Sequence, residues 1–180
     1  TKFIPIILSI KNIKTTNEVI KIASQYEAAV EAEIGCVGGS EDGSEDIAIN
    51  CTNPDDAVRF EAETDVDAPA IAIGNAHGNY KEEPKLRFDI LEKVESLVDV
   101  PLVLHGGTGI SPEDFIKCSK TGIKKINIAT ATFDSVESNV SKCYNSNAIK
   151  GYYDLQSAEV EGAYNNVYKH IKIFGTENKA

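Results

Sequence analysis

Positive charge is scarce in this chain. Lysine and arginine together number 18 against 28 acidic residues, which leaves a net charge of −10, and arginine occurs only at Arg59 and Arg87. Nucleic-acid backbones are gripped by clustered basic side chains, so no nucleic-acid partner is expected. Long apolar runs are missing too. Nothing approaches the roughly 20 residues of a membrane-spanning helix, so no membrane partner is expected either. No signal-peptide pattern is present. The four cysteines, Cys36, Cys51, Cys118 and Cys143, show no CxxC spacing. They read as reduced thiols of a cytoplasmic protein rather than as a disulfide framework. An initiator methionine is also absent: the sequence opens at Thr1, already inside an apolar run, and reads as a cut end.

What is present is a regular alternation. The chain's 180 residues suffice for one substantial core. Short apolar runs at Phe3–Ile10, Ala28–Ile34, Pro69–Ile73, Pro101–Leu104 and Lys124–Ala129 are separated by longer amphipathic segments. Several runs are apolar at nearly every position, as suits strands buried on both faces of a parallel sheet. Helix starts are marked by Thr15 with Glu18, by Asn53-Pro54 with Asp56, and by Ser111-Pro112 with Asp114. The last helix is expected over Ala158–Lys172, with Val160, Ala163, Tyr164, Val167 and Ile171 on one stripe. Strand–helix repeats of this kind build an open doubly wound sheet or an eight-stranded barrel. A full barrel takes about 250 residues, so within that architecture the chain supplies roughly strands four to eight.

The unusual residues gather at strand ends. His77 and His105 each follow directly from an apolar run and are each followed by glycine. Adjacent strands lie about 4.8 Å apart, so the two imidazoles can share one metal ion. His170, on the last helix, is expected to be structural or exposed. Along Val30–Ile34, strand alternation puts Glu31 and Glu33 on one face and Ala32 and Ile34 on the other. A carboxylate facing a sheet interior is costly unless paired or metal-bound, and Glu33 is the better candidate. The glycine- and acid-rich loop that follows can act as a lid carrying Glu41. The turn His105-Gly106-Gly107-Thr108-Gly109 leads into a capped helix, and Asn127 to Thr130 ends the next strand. Both present backbone N–H groups where an anion can rest. Lys81 adds a point charge.

Together the segments VEAEIGCVGGSEDG, AIAIGNAHGNYK, PLVLHGGTGIS, INIAT and IFGTENKA resemble the class II, metal-dependent fructose-bisphosphate and tagatose-bisphosphate aldolases, from Val30 to Ala180. The resemblance implies an incomplete (β/α)8 TIM barrel. It also implies zinc, or another divalent transition metal, at His77 and His105, with Glu33 as an alternative carboxylate ligand. Glu41 becomes the proton shuttle of a mobile loop. Gly78, Lys81, Gly106, Gly107, Thr108, Asn127 and Thr130 become contacts to substrate phosphate or the neighbouring hydroxyls. The implied reaction is the reversible cleavage of a fructose or tagatose 1,6-bisphosphate to dihydroxyacetone phosphate and glyceraldehyde 3-phosphate, in a cytoplasmic homodimer or homotetramer. Three departures point instead to a phosphosugar-binding module without turnover. No strand bearing the family's third zinc histidine and neighbouring aspartate precedes Phe3. The first run carries Pro5 and lacks the aspartate expected there. Ala131 stands where relatives have an acidic residue.

Overall fold

The computed structural model describes residues 3–39, 48–80 and 83–179, with side chains described from Ile10 onward. The chain runs α1 (Phe3–Ala23), a 3-10 turn (Ser24–Tyr26), β1 (Glu31–Ile34), β2 (Gly38–Gly39), α2 (Pro54–Glu63), β3 (Ala68–Ile71) and β4 (Ala76–His77). It continues through α3 (Phe88–Glu95), β5 (Leu102–Leu104), α4 (Pro112–Lys120), β6 (Ile123–Ile126), α5 (Thr130–Asn145) and α6 (Tyr152–Phe174). Strands β1, β3, β5 and β6 lie side by side in that order, and every pairing is parallel. Beyond the carboxyl ends of β1 and β3, the short strands β2 and β4 pair in the same sense, Gly39 opposite His77. Among the described residues this is an α/β arc with four main strands, part of a TIM barrel and not a closed one. No described helix is long and apolar enough to cross a membrane.

The core lies between the sheet and helices α2, α3 and α4. Ile34, Ile71, Leu102 and Leu104 meet Phe60, Leu91, Val94, Phe115 and Cys118 there. Each such large side chain contributes roughly 1.5–3 kcal/mol by leaving water. Strand β5 is buried at all three positions and β3 from Pro69 to Ile71, as their unbroken apolar runs require. Two helix starts follow the sequence closely. Asn53 accepts from Asp55 N–H at 3.1 Å to cap α2, and Ser111 accepts from Asp114 N–H at 3.1 Å to cap α4. Such caps contribute about 1 kcal/mol each.

Two expectations are corrected. The run Phe3–Ile10 is helix, not strand, so four of the five apolar runs form the sheet. A short apolar run has no periodicity that separates a buried strand from a helix. This one continues without a break into Lys11 to Ala23, and Pro5 falls in the first helical turn, where a missing N–H costs nothing. Thr15 is therefore interior to α1, not a cap. Neither Pro5 nor the missing aspartate counts as a departure on a strand. Ile13 and Thr16 are buried, and Asn12 donates to the Glu33 carbonyl at 2.8 Å, which docks α1 on β1.

The second correction concerns α6, which is longer than expected and buries a different face. Val160, Tyr164 and Val167 are exposed, whereas Ala158 and Gly162 are buried. Small residues let α5 and α6 approach closely enough for Ser135 Oγ to donate to the Gly162 carbonyl at 2.7 Å. Asn139 donates to the Ala158 carbonyl, also at 2.7 Å. Close backbone approach with hydrogen bonds sets this interface; the apolar stripe does not.

Candidate metal centre

The site is built from strand parity and tight turns. On β1, Ile34 joins the core, so alternation turns Glu31 and Glu33 to the opposite, concave face. His105 follows β5 and His77 ends β4, both at the carboxyl edge of the sheet. Asn75, buried completely, accepts from Ile73 N–H and donates to the His105 carbonyl, tying the two strand ends together. The Tyr80 hydroxyl accepts from Ala76 N–H at 2.8 Å and so fixes the residue before His77. Burial pushes the Tyr80 phenol up, keeping it neutral.

Glycines make room around the His77 backbone. A Cβ on Gly39 would run into the His77 carbonyl oxygen, and one on Gly106 into the Ala76 carbonyl oxygen. Both have positive φ, 82° and 59°, a conformation glycine adopts freely. Glycine after each histidine was legible as a turn; the crowding of Gly106 against the neighbouring strand was not.

The three expected ligands converge. Glu33, His77 and His105 each offer a ligand atom, and these atoms lie within 4.8 Å of one another. The two imidazole centroids are 6.0 Å apart. His105 Nδ1 lies 2.8 Å from Glu33 Oε2, and His77 Nε2 lies 3.9 Å from the same oxygen. The other His105 nitrogen, Nε2, lies 2.8 Å from Glu31 Oε1. Each ring nitrogen of His105 thus faces a carboxylate oxygen. Its pKa is raised, first by the Glu33 hydrogen bond and also by Glu31, against a smaller opposing effect of burial. Burial pushes Glu33 up, but the bonds from His105 and Val37 N–H outweigh it and leave the carboxyl below its usual range. Glu31 behaves the same way, with Lys125 and His105 overcoming burial.

Beside the histidines is a cleft of about 520 Å³ lined by His77, His105, Gly106, Ile126, Asn127, Ile128 and Ala129. Of the expected anion contacts, Gly106 and Asn127 line it. Gly78 and Gly107 are buried in their turns, and Thr130 begins α5. The Thr108 side chain is already engaged, accepting from Ala131 N–H at 3.0 Å. Glu41 and Lys81 lie outside the described residues. His170 is structural: its Nδ1 donates to the Asn166 carbonyl and its ring packs on Phe115 and Phe174. Sequence reasoning missed Asn75, Tyr80 and Lys125. For Lys125 there was a signal, since β6 turns a lysine toward the face that carries Glu31.

The donor set fits a divalent transition ion. Two imidazole nitrogens and one carboxylate oxygen are the ligands zinc prefers, and they are near enough for side-chain rotation to bring them to one ion. Soft thiolates take no part in the cluster.

Comparison with known proteins agrees with this geometry. Residues 9–179 match the family described as fructose-bisphosphate aldolase class-II. The YdjI aldolase of Escherichia coli K12 is 32% identical and superposes with a TM-score of 0.81, over 96% of this chain and 59% of its own. A putative fructose-1,6-biphosphate aldolase from Coccidioides immitis is 26% identical, with a TM-score of 0.85 over 95% of this chain and 60% of its own. Fructose-bisphosphate aldolase of Campylobacter jejuni, 21% identical with a TM-score of 0.73 over 93% of this chain and 56% of its own, shares the fold. The chain spans about three-fifths of the length of these structures. With residues 9–179 of the 180 matching that family and the histidine pair drawn together at the sheet's carboxyl edge, the chain belongs to the class II fructose-bisphosphate aldolase family.

Proposed function

We propose that this protein is a metal-dependent aldolase that reversibly cleaves a ketose 1,6-bisphosphate, fructose or tagatose, to dihydroxyacetone phosphate and glyceraldehyde 3-phosphate. The observation that carries this reading is the convergence of Glu33, His77 and His105 beside the cleft lined by Gly106 and Asn127. His77 and His105 hold the ion, zinc in the first instance, with Glu33 as an alternative ligand. When bound, such an ion stabilises negative charge on a substrate carbonyl oxygen as a Lewis acid.

The remaining work falls to the chain's own groups. Backbone N–H groups of the Gly106–Gly107 turn and the start of α5 receive a phosphate, helped by the positive end of the helix dipole. Asn127, Thr108, Thr130, Gly78 and Lys81 complete that binding, and the Thr108 hydroxyl also accepts from Ala131 N–H in the first turn of α5. Fixing the phosphate orients the rest of the sugar toward the histidines. Glu41 moves the proton once its loop brings it within hydrogen-bond reach. The protein acts in the cytoplasm, as a homodimer or homotetramer.

The test is aldol cleavage by the full-length protein before and after EDTA treatment, with zinc added back. Loss on chelation and recovery with zinc are expected; full activity after chelation removes the metal from this account. One feature favours a second reading, a phosphosugar-binding module without turnover: the first turn of α5 holds no acidic residue, Ala131 standing there instead. Tight binding of dihydroxyacetone phosphate without cleavage under any metal would select it.

A further inference from the structure

We infer that Glu31 is a positioning residue of the metal centre, clamped by Lys125 and Asn127 so that His105 presents Nδ1 to the ion. This inference rests on the metal reading above and deepens it.

The geometry separates the two edges of the His105 ring. Glu33 Oε2 lies between His105 Nδ1, at 2.8 Å, and His77 Nε2, at 3.9 Å. The side of His105 that faces the shared ligands is therefore Nδ1. Nε2 points the other way and meets Glu31 Oε1 at 2.8 Å. Glu31 is not a member of the converging ligand cluster. It touches only the edge of the ring that a bound ion would leave protonated. An imidazole has two nearly equivalent nitrogens, and which one binds is set by the hydrogen bond the other makes. A carboxylate in that position fixes both the tautomer and the ring plane.

Glu31 is itself held at both oxygens. Lys125 Nζ donates to Glu31 Oε2 at 2.8 Å and to Asn127 Oδ1 at 2.6 Å. Asn127 Nδ2 donates to Glu31 Oε1 at 3.2 Å. An exposed glutamate–lysine pair alone contributes little to stability. Two partners besides His105, one on each oxygen, hold the direction of this carboxylate, which orienting a ring requires. The same contacts join the histidine to Asn127 on the wall of the cleft. Metal ligand and anion wall thus share one polar network.

The experiment is a competition titration of zinc and of cobalt(II) with a chromophoric chelator. It uses the full-length protein and its Glu31→Gln, Glu31→Ala and Lys125→Met variants. Chemical denaturation of the metal-free proteins and nitrogen-15 spectra of the histidine rings run alongside. Loss of such a hydrogen-bond partner typically weakens metal binding 10–100-fold. Glu31→Ala is expected in that range. Glu31→Gln, which keeps the side-chain volume, is expected to bind at least about threefold more weakly, and Lys125→Met likewise. The denaturation midpoints should stay unchanged and His105 should lose its single tautomer. Affinities within about twofold of wild type in both Glu31 variants overturn the inference while leaving the metal reading intact. So does a weakening matched by an equal loss of metal-free stability. If the wild-type protein binds neither ion, the metal reading falls and this inference with it.

Discussion

Asn75 holds the His105 backbone from inside the protein: its Nδ2 donates to the His105 carbonyl at 2.8 Å while its Oδ1 accepts from Ile73 N–H at 2.7 Å. Histidine position is thus determined partly by a side chain 30 residues away on the preceding strand end. Replacing Asn75 with alanine leaves a buried N–H and a carbonyl without their partner. Each orphaned group costs about 1–3 kcal/mol, so Asn75→Ala is expected to lower stability by roughly 2–4 kcal/mol. Urea denaturation reads this directly; a midpoint equal to wild type with the same slope would contradict it.

Gly106 is a second fixed point. Its φ is 59°, and a Cβ would strike the Ala76 carbonyl, which is backbone and cannot rotate away. Gly106→Ala should therefore destabilise by more than about 2 kcal/mol, combining left-handed strain with the clash. Gly151, with nothing within 4 Å of the same added atom, is the internal control. Thermal melts of the two variants should differ clearly. Equal midpoints would mean that the strand ends can separate at little cost.

The contact between α5 and α6 reverses an ordinary expectation. In an exposed helix interior, glycine to alanine is stabilising by about 1 kcal/mol. At Gly162 the added Cβ would sit 2.7 Å from Val136 Cα and 2.9 Å from the Ser135 carbonyl oxygen. Gly162→Ala should lower the melting temperature by several degrees, because two backbones must part. A raised melting temperature would show that α6 is free to shift.

Cys118 sets an alkaline limit. Burial pushes its thiol up from 9.0 to about 12, with Asp114 adding to the shift. The folded state then favours the protonated form more than the unfolded chain does. Stability from this group is complete below about pH 9 and is lost as the pH rises toward 12, at a ceiling of roughly 4 kcal/mol. Cys118→Ala should remove this part of the alkaline loss. The check is denaturation at pH 8 and pH 10 in both proteins, and identical slopes with pH would refute it.

The sequence disclosed the parts of this fold whose signals are local. Asn53 and Ser111 cap their helices as their spacing implies, because the cap needs only residues within one turn. Strand parity placed Glu31 and Glu33 together, and the two His-Gly ends came to one site. What stayed hidden depends on distant partners. The apolar run at Phe3 became helix, because its alternatives differ only in what the rest of the chain packs against it. The Val160 and Tyr164 stripe stayed exposed, because Gly162 allows a closer approach on another face. Asn75 was unremarkable until its two backbone partners were known. Lys125 acquired a role only through a carboxylate 94 residues earlier.

That last contact has a kinetic meaning. Glu31 and Lys125 stand on the two outermost of the four main strands, with β3 and β5 between them, yet their charged atoms meet at 2.8 Å. Such a closure defines a loop of nearly a hundred residues, and contacts this distant along the chain are slow to form. While β6 is unformed, Glu31 and Glu33 remain two nearby negative charges with no counter-cation from that strand. The clamp on Glu31 is therefore complete only once the last strand has docked, and its completion marks that the sheet has been assembled.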